Sequence, residues 1–146
     1  MKIEIQIDGS CKETEVIIVT DRMTDEVNDI LRRLSEEQPR MIAGFRDGAV
    51  TILEPGDIFR VYAASGKVYA ETARGEFVLR LRLYEAEQRL DKHSFVRISN
   101  SDIVNLKKVR DFDLSITGTI CVTLTNGTVT YVSRRYVTRI KEQLGI

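Results

Sequence analysis

Between Ala49 and Leu83 the chain is written in short segments that alternate apolar and polar residues, separated by turns that contain glycine. The segments are Val50 to Leu53, Ile58 to Ala63, Lys67 to Thr72, and the run Phe77, Leu79, Leu81, Leu83. The turns are Pro55-Gly56, Ser65-Gly66 and Arg74-Gly75. A period of two puts successive side chains on opposite faces, so each segment reads as a strand, and short glycine turns join antiparallel neighbours. The pattern predicts a mainly β fold with a few helices (α+β).

On the N-terminal side, residues 3 to 7 (IEIQI) alternate with the same period and predict a strand stopped at Asp8-Gly9-Ser10; Val16 to Val19 predicts a second. The period then changes. Val27, Ile30, Leu31 and Leu34 recur at helical spacing and predict a helix from about Thr24 to Glu37, with Thr24 as N-cap and Asp25 and Glu26 at the positive end of its dipole. Pro39 and Gly44 mark a boundary. The chain is therefore expected to divide into a small strand-strand-helix unit over residues 1–43, for dimerisation or control, and a β-rich domain over residues 44–146.

After the meander, Leu83, Ala86, Glu87 and Leu90 predict a short helix. Ile120, Val122 and Leu124 alternate up to Asn126-Gly127, the signature of a type I′ hairpin, and Val129 and Tyr131 return as the partner strand. A last helix starts at Ser133, presents Tyr136 or Val137, Ile140 and Leu144 on one face, and stops at Gly145.

The stretch from Phe95 to Leu106 interrupts two apolar arms with Ser99-Asn100-Ser101-Asp102. Short polar side chains of this kind favour turns, and they can both donate and accept hydrogen bonds; asparagine pairs bidentately with the adenine edge in a major groove. Arg134 and Arg135 open the last helix, where positive charge opposes the dipole by ~0.3 to 1 kcal/mol per residue. An anionic partner reverses that sign, because exposed N–H groups and guanidinium forks then act on phosphate together. The alternative is that both arginines are solvated or paired with acids elsewhere. Lys107-Lys108-Val109-Arg110 adds a basic cluster just after the polar stretch, which suits a backbone phosphate or plain solvation.

The chain has zero net charge overall, but residues 1–91 carry 13 Lys+Arg against 18 Asp+Glu and residues 92–146 carry 9 against 4. A polyanion would be met by the C-terminal part. Catalysis has little to work with. His93 is the only histidine, sits beside Lys92 at a turn, and reads as a surface residue; no phosphate-binding glycine motif is present. Cys11 and Cys121 have no partner at metal-ligand spacing and read as reduced thiols, and no cofactor is expected. No apolar run approaches the ~18 residues of a membrane helix, and no secretory signal opens the chain, so a cytoplasmic protein is expected.

FVRISNSDIVNLKKV followed by TLTNGTVTYVSRRYVTRIKEQLG resembles the LytTR family of bacterial DNA-binding domains. The likeness runs from about Gly44 to the C-terminus and takes in FRDGAVTILEPGDI, the Ser65-Gly66-Lys67 hairpin and RLYEAEQRL. The acidic start resembles the standalone members, which lack a receiver domain. The resemblance implies an antiparallel β fold with a C-terminal helix that presents loops to successive major grooves of double-stranded DNA, in a transcriptional regulator of repeated sites. It places base contacts at Lys67, Ser99, Asn100 and Arg135; phosphate contacts are expected of the basic residues Lys107, Lys108 and Arg134. Asn105, set behind two apolar residues, is expected to be a structural amide.

Some 45 residues before the β-rich part are too few for a receiver domain at typical domain sizes. The Val27, Ile30, Leu31, Leu34 stripe is expected to be covered by the sheet or by the same helix of a second subunit, which makes a homodimer an expected partner; the resemblance also raises a membrane-protein regulator. A different class of function stays open: an interaction module that acts through the N-terminal unit, without specific DNA binding. DNA reading requires Lys67, Asn100 and Arg135 to converge on one face, and the interaction module does not.

Overall fold

The computed structural model describes residues 1–35 and 41–146. They fall into two compact units, Met1–Glu37 and Gln38–Ile146.

In the first unit the helix forms as α1 (Asp25–Ser35). The Val27 N–H donates to Thr24 Oγ1 at 3.3 Å, so Thr24 caps it, and Asp25 and Glu26 lie in the first turn. Val27 is 7% exposed, whereas Leu31 and Leu34 on the same stripe are 42% and 48% exposed. The strands expected at residues 3–7 and 16–19 are absent: residues 1–24 contain neither helix nor strand. Ile3, Ile5, Ile7, Ile17 and Val19 are exposed. Two short alternating segments can pair, but a lone two-stranded ribbon is marginal without a layer to bury its apolar face. The expected stop does form, with Asp8 Oδ1 accepting from the Ser10 N–H and hydroxyl at 2.9 and 2.7 Å. Pro39 lies outside the described residues.

The second unit holds two antiparallel sheets. The larger has seven strands, β1 (Ile42–Arg46), β2 (Ala49–Leu53), β3 (Ile58–Ala64), β4 (Lys67–Thr72), β5 (Gly75–Leu79), β6 (Phe95–Ser99) and β7 (Asp102–Asn105), in the order β2-β1-β5-β4-β3-β7-β6. The smaller comprises β8 (Val109–Asp113), β9 (Ile120–Leu124) and β10 (Val129–Val132), with β9 central. Helix α2 (Leu83–Arg89) follows β5, and α3 (Arg134–Leu144) closes the chain.

Three details depart from the sequence expectation. Gly44 is no boundary. It lies within β1, where an added Cβ would come 2.8 Å from Phe77 Cβ and 2.9 Å from Leu53 Cδ1. The fourth apolar alternation also fails, because the strand stops at Leu79 and Leu83 opens α2 instead. The Asn126-Gly127 turn is not type I′, which needs positive φ at both central residues. Only Gly127 has it (φ 91°); the Gly127 N–H bonds Leu124 O, and Leu124 pairs with Thr128 across a three-residue loop. Asn126 is free to turn its side chain sideways, donating to Glu71 Oε1 at 2.6 Å.

Two apolar cores result. One packs α2 through Leu83, Ala86 and Leu90 on Ile58, Val61, Phe77 and Ile103 of the large sheet. The other joins Phe59, Val96, Ile98 and Val104 to Ile120, Val122, Leu124 and Val132 of the small sheet and to Ile140 of α3. Neighbours along β6 and β7 divide between them: Phe95 and Ile103 enter the first core, Val96 and Val104 the second. Burial on both faces explains why this stretch reads as nearly unbroken apolar runs.

A buried polar network ties the sheets together. Arg60 on β3 donates to Glu71 on β4 at 2.6 Å and to Asp102 on β7 at 3.2 Å. Glu71 accepts from Asn126 and Thr128, and Asp102 from Thr130 at 2.7 Å, all on the small sheet or its hairpin. Burial pushes the Glu71 carboxyl up, but the hydrogen bonds from Arg60, Thr128 and Asn126 outweigh it and hold the group below its ordinary range. At Asp102 burial wins over Thr130 and Arg60, and the carboxyl is raised.

Candidate nucleic-acid interface

Strand pairing brings the polar stretch and the Lys67 turn together. β3 runs up to Ala64 and turns through Ser65 and Gly66, both at positive φ (52° and 75°), into Lys67. β7 is antiparallel to β3, with Tyr62 opposite Asp102, so the turn that leads into β7 lies where β3 ends. The Ala63 N–H donates to Ser101 O at 2.8 Å and fastens the two turns side by side.

The last helix reaches the same place. The Ser133 N–H donates to Ile98 O at 2.9 Å, and the Tyr136 hydroxyl lies 3.4 Å from Asn100 Oδ1. Ile140 anchors α3 in the second core, which sets the direction of its N-terminus. Ser133 occupies the N-cap position without a side-chain capping bond. Lys67, Asn100, Arg134 and Arg135 are exposed and Ser99 is half-buried. One end of the large sheet thus carries two polar turns and a helix start bearing two guanidinium groups.

Asn100 is partly oriented. Tyr136 takes one lone pair of Oδ1, leaving the other and both amide hydrogens for an outside partner. Ser99 Oγ accepts from the Ser101 N–H at 3.2 Å and so shapes the turn itself. Arg134 lies against the segment before β9: its Nε is 3.5 Å from where a Cβ on Gly118 would sit.

The other residues singled out in the sequence fall elsewhere. Asp102 is not a loop residue but the first residue of β7, 5% exposed and paired with Arg60. Lys107 and Lys108 sit in a short 3-10 turn at the far end of β7, Lys108 Nζ being 5.2 Å from the centre of the Phe59 ring. Four residues of β7 separate them from the Asn100 turn, which at ~3.3 Å per residue is on the order of 13 Å. Asn105 has the structural role expected: at 1% exposure its Nδ2 donates to Ile58 O at 2.9 Å and its Oδ1 accepts from the Lys107 N–H at 3.0 Å.

Arg97 carries no signal in the sequence. It appears there only as the one polar residue within an apolar arm, yet it donates to Ser99 O, Asn100 O and Glu87 at once. Tyr136 was expected only as a core residue of the helix, and its hydroxyl is the missed part. His93 is exposed in the turn that Asp91 opens, donating its backbone N–H to Asp91 Oδ1. Among the described residues no three His, Cys, Asp or Glu side chains are grouped to hold a metal ion, and no helix is long and apolar enough to cross a membrane.

Comparison with known proteins bears on the fold and the family. A structure of a LytTr DNA-binding domain from Bacillus cereus superposes with a TM-score of 0.70 at 22% identity, covering 73% of this chain and 97% of that one, which establishes the shared fold. Uncharacterised HTH-type transcriptional regulators of Staphylococcus aureus strains COL and MW2 are each 33% identical over 147 residues, covering 100% of this chain and 99% of theirs. No helix-turn-helix occurs among the described residues here, since strands separate each helix from the next. The model of the LytTr DNA-binding domain matches residues 48–145, and with relatives alike along their whole length the chain belongs to that family.

Proposed function

We propose that this chain is a sequence-specific, non-enzymatic transcriptional regulator that inserts its sheet-end turns into successive major grooves of repeated DNA sites. The observation that carries the proposal is the convergence of Lys67, Asn100 and Arg135 at one end of the sheet. Membership in the LytTr DNA-binding domain family and the regulators it matches support the reading. Asn100 has the donor and acceptor that an adenine edge requires, Arg135 can fork onto guanine O6 and N7, and Lys67 and Ser99 reach base edges beside them. Arg134 and the uncapped start of α3 meet a phosphate. Lys107 and Lys108 lie about 13 Å behind the turn, given the four residues of β7. That suits phosphates on the walls of a groove ~8.5 Å deep, once lysine side-chain length is added.

With the division moved from 43/44, which would cut β1, to the units Met1–Glu37 and Gln38–Ile146, DNA reading falls to the larger unit and dimerisation or control to the smaller. The exposed Ile3, Ile5, Ile7, Ile17 and Val19 favour a partner for the N-terminal unit, either a second copy or a membrane-protein regulator, in a bacterial cytoplasm. The same exposure favours the second reading, in which partner binding at that unit is the whole function. Selection of duplexes from a random pool separates the two. The selected duplex should outbind a scrambled one, and Asn100→Ala should cost on the order of 1 to 3 kcal/mol on the selected duplex and little on the scrambled one. Equal loss on both would reduce Asn100 to a structural group, and failure of the wild type to select any sequence would leave the interaction module in place.

A further inference from the structure

We propose that Arg97 is a positioning residue for sequence reading, holding the backbone on either side of Asn100 without touching DNA. The inference rests on the proposal that the Ser99-Asn100 turn reads base edges. Arg97 is the last residue before the register of β6 against β7 slips, between Arg97 and Ser99, so the regular ladder gives way just where the reading turn begins. Its guanidinium takes over there. Nε donates to Ser99 O at 2.7 Å and Nη2 to Asn100 O at 2.6 Å, so one rigid plane bridges two successive carbonyls. The third nitrogen, Nη1, donates to Glu87 Oε2 on α2 at 2.8 Å.

Two carbonyls aimed at one planar group fix the peptide units flanking the Asn100 Cα, and with them the direction of its side chain. Tyr136 steadies the far end of that side chain at Oδ1. Glu87 in turn fixes the guanidinium, on a helix that the first core anchors through Leu83, Ala86 and Leu90. A lysine could not replace this clamp, since an ammonium is a point charge without the planar fork. Direct contact with DNA is disfavoured by the same geometry. All three guanidinium nitrogens are already engaged by protein oxygens, and the side chain is 14% exposed while Arg135 lies open to solvent.

The test uses the full chain and a duplex selected by the wild type, with a scrambled duplex as control, over a range of salt concentrations. Arg97→Lys keeps the charge and loses the fork. It should reduce the preference for the selected duplex roughly tenfold, the size of one lost bidentate base contact, with affinity for the scrambled duplex and the salt slope unchanged. In an Asn100→Ala background the same substitution should remove no further preference, because the two act through one contact. Weaker binding to both duplexes with a salt slope lowered by about one would make Arg97 a phosphate contact and overturn the proposal. So would an unchanged preference in a folded variant.

Should Arg97→Lys fail to fold, Glu87→Gln replaces it, read by hydrogen exchange at the Asn100 and Ser101 amides together with the preference. Faster exchange with a smaller preference supports the clamp. Unchanged exchange, or faster exchange at full preference, overturns it. A wild-type protein that selects no sequence refutes DNA reading itself, an outcome distinct from all of these because no variant is involved.

Discussion

Asn105→Ala should unfold the β domain far more readily while leaving its choice of DNA sequence intact. Asn105 is 1% exposed, and its amide joins β3 to the turn after β7 by donating to Ile58 O and accepting from the Lys107 N–H. Alanine removes both bonds. A typical buried hydrogen bond contributes about 1 kcal/mol net, and a buried group left without a partner costs about 1 to 3 kcal/mol. Ile58 is 0% exposed, so its carbonyl loses a donor out of reach of bulk solvent; the Lys107 N–H, nearer the surface, recovers part of its solvation. The expected loss is about 2 to 4 kcal/mol.

At ~4 to 8 °C per kcal/mol for a domain of this order, that loss lowers the midpoint of thermal unfolding by roughly 10 °C or more. Circular dichroism in urea and with temperature gives the loss, and binding to selected and scrambled duplexes well below the midpoint gives the preference. Asn105→Asp sharpens the test, because it keeps the acceptor for Lys107 but turns a carboxylate toward the Ile58 carbonyl. It should be less stable at neutral pH than at a pH where the introduced acid is protonated. An Asn105→Ala protein of wild-type stability, or one of normal stability that has lost its sequence preference, would refute the reasoning.

Gly44→Val should destabilise by about 1 to 3 kcal/mol, the ordinary cost of overpacking, since its Cβ would fall 2.8 Å from Phe77 Cβ; urea midpoints check this. Glu71 has a depressed folded-state pKa, so its contribution is present above its unfolded value and lost as pH falls through the folded one. Asp102, raised, has the opposite sign and favours folding on the acid side. Stability measured between pH 3 and 5 should therefore fall less steeply with acid in Glu71→Gln than in the wild type, and an equal slope would remove Glu71 from the acid response. Lys108→Ala should weaken binding to any duplex and lower the salt slope by about one; an unchanged slope would confine the interface to the end of the sheet.

The strands β2 to β5, β9 and β10 were legible because their alternation reports one-sided burial, whereas β1 and β8 were not expected, Gly44 and the basic run Lys107 to Arg110 having no such pattern; the turns at Ser65-Gly66 and Arg74-Gly75 fall where glycine placed them. Period two at residues 3–7 misled, because alternation states what a segment could bury and not whether anything is present to bury it. Asp102 misled in the other direction. Its type suits a turn, but Arg60 lies 42 residues earlier in the chain, and no local rule relates the two. The candidate site was legible in its turns and its arginine pair, which are contiguous in sequence. Arg97 and the Tyr136 hydroxyl were not, since both act through carbonyl and amide oxygens that only tertiary structure brings within reach.

Turns can do the work of a recognition helix only if they are held as stiffly as one. A helix brings its own hydrogen bonds, whereas a two-residue turn must borrow rigidity from its surroundings, and a loose reading group forfeits affinity to ordering entropy. Here the stiffness comes from three directions. Ser101 is fastened to β3 through Ala63, Asn100 to α3 through Tyr136, and the Ser99 and Asn100 carbonyls to α2 through Arg97 and Glu87. Behind them, Asp102 joins the turn to Arg60 on one sheet and Thr130 on the other. Asp102, which borders the proposed reading turn, therefore also connects the two sheets. Mutations in the buried network should alter sequence preference and stability together, whereas those at Asn100 or Arg135 should alter preference alone.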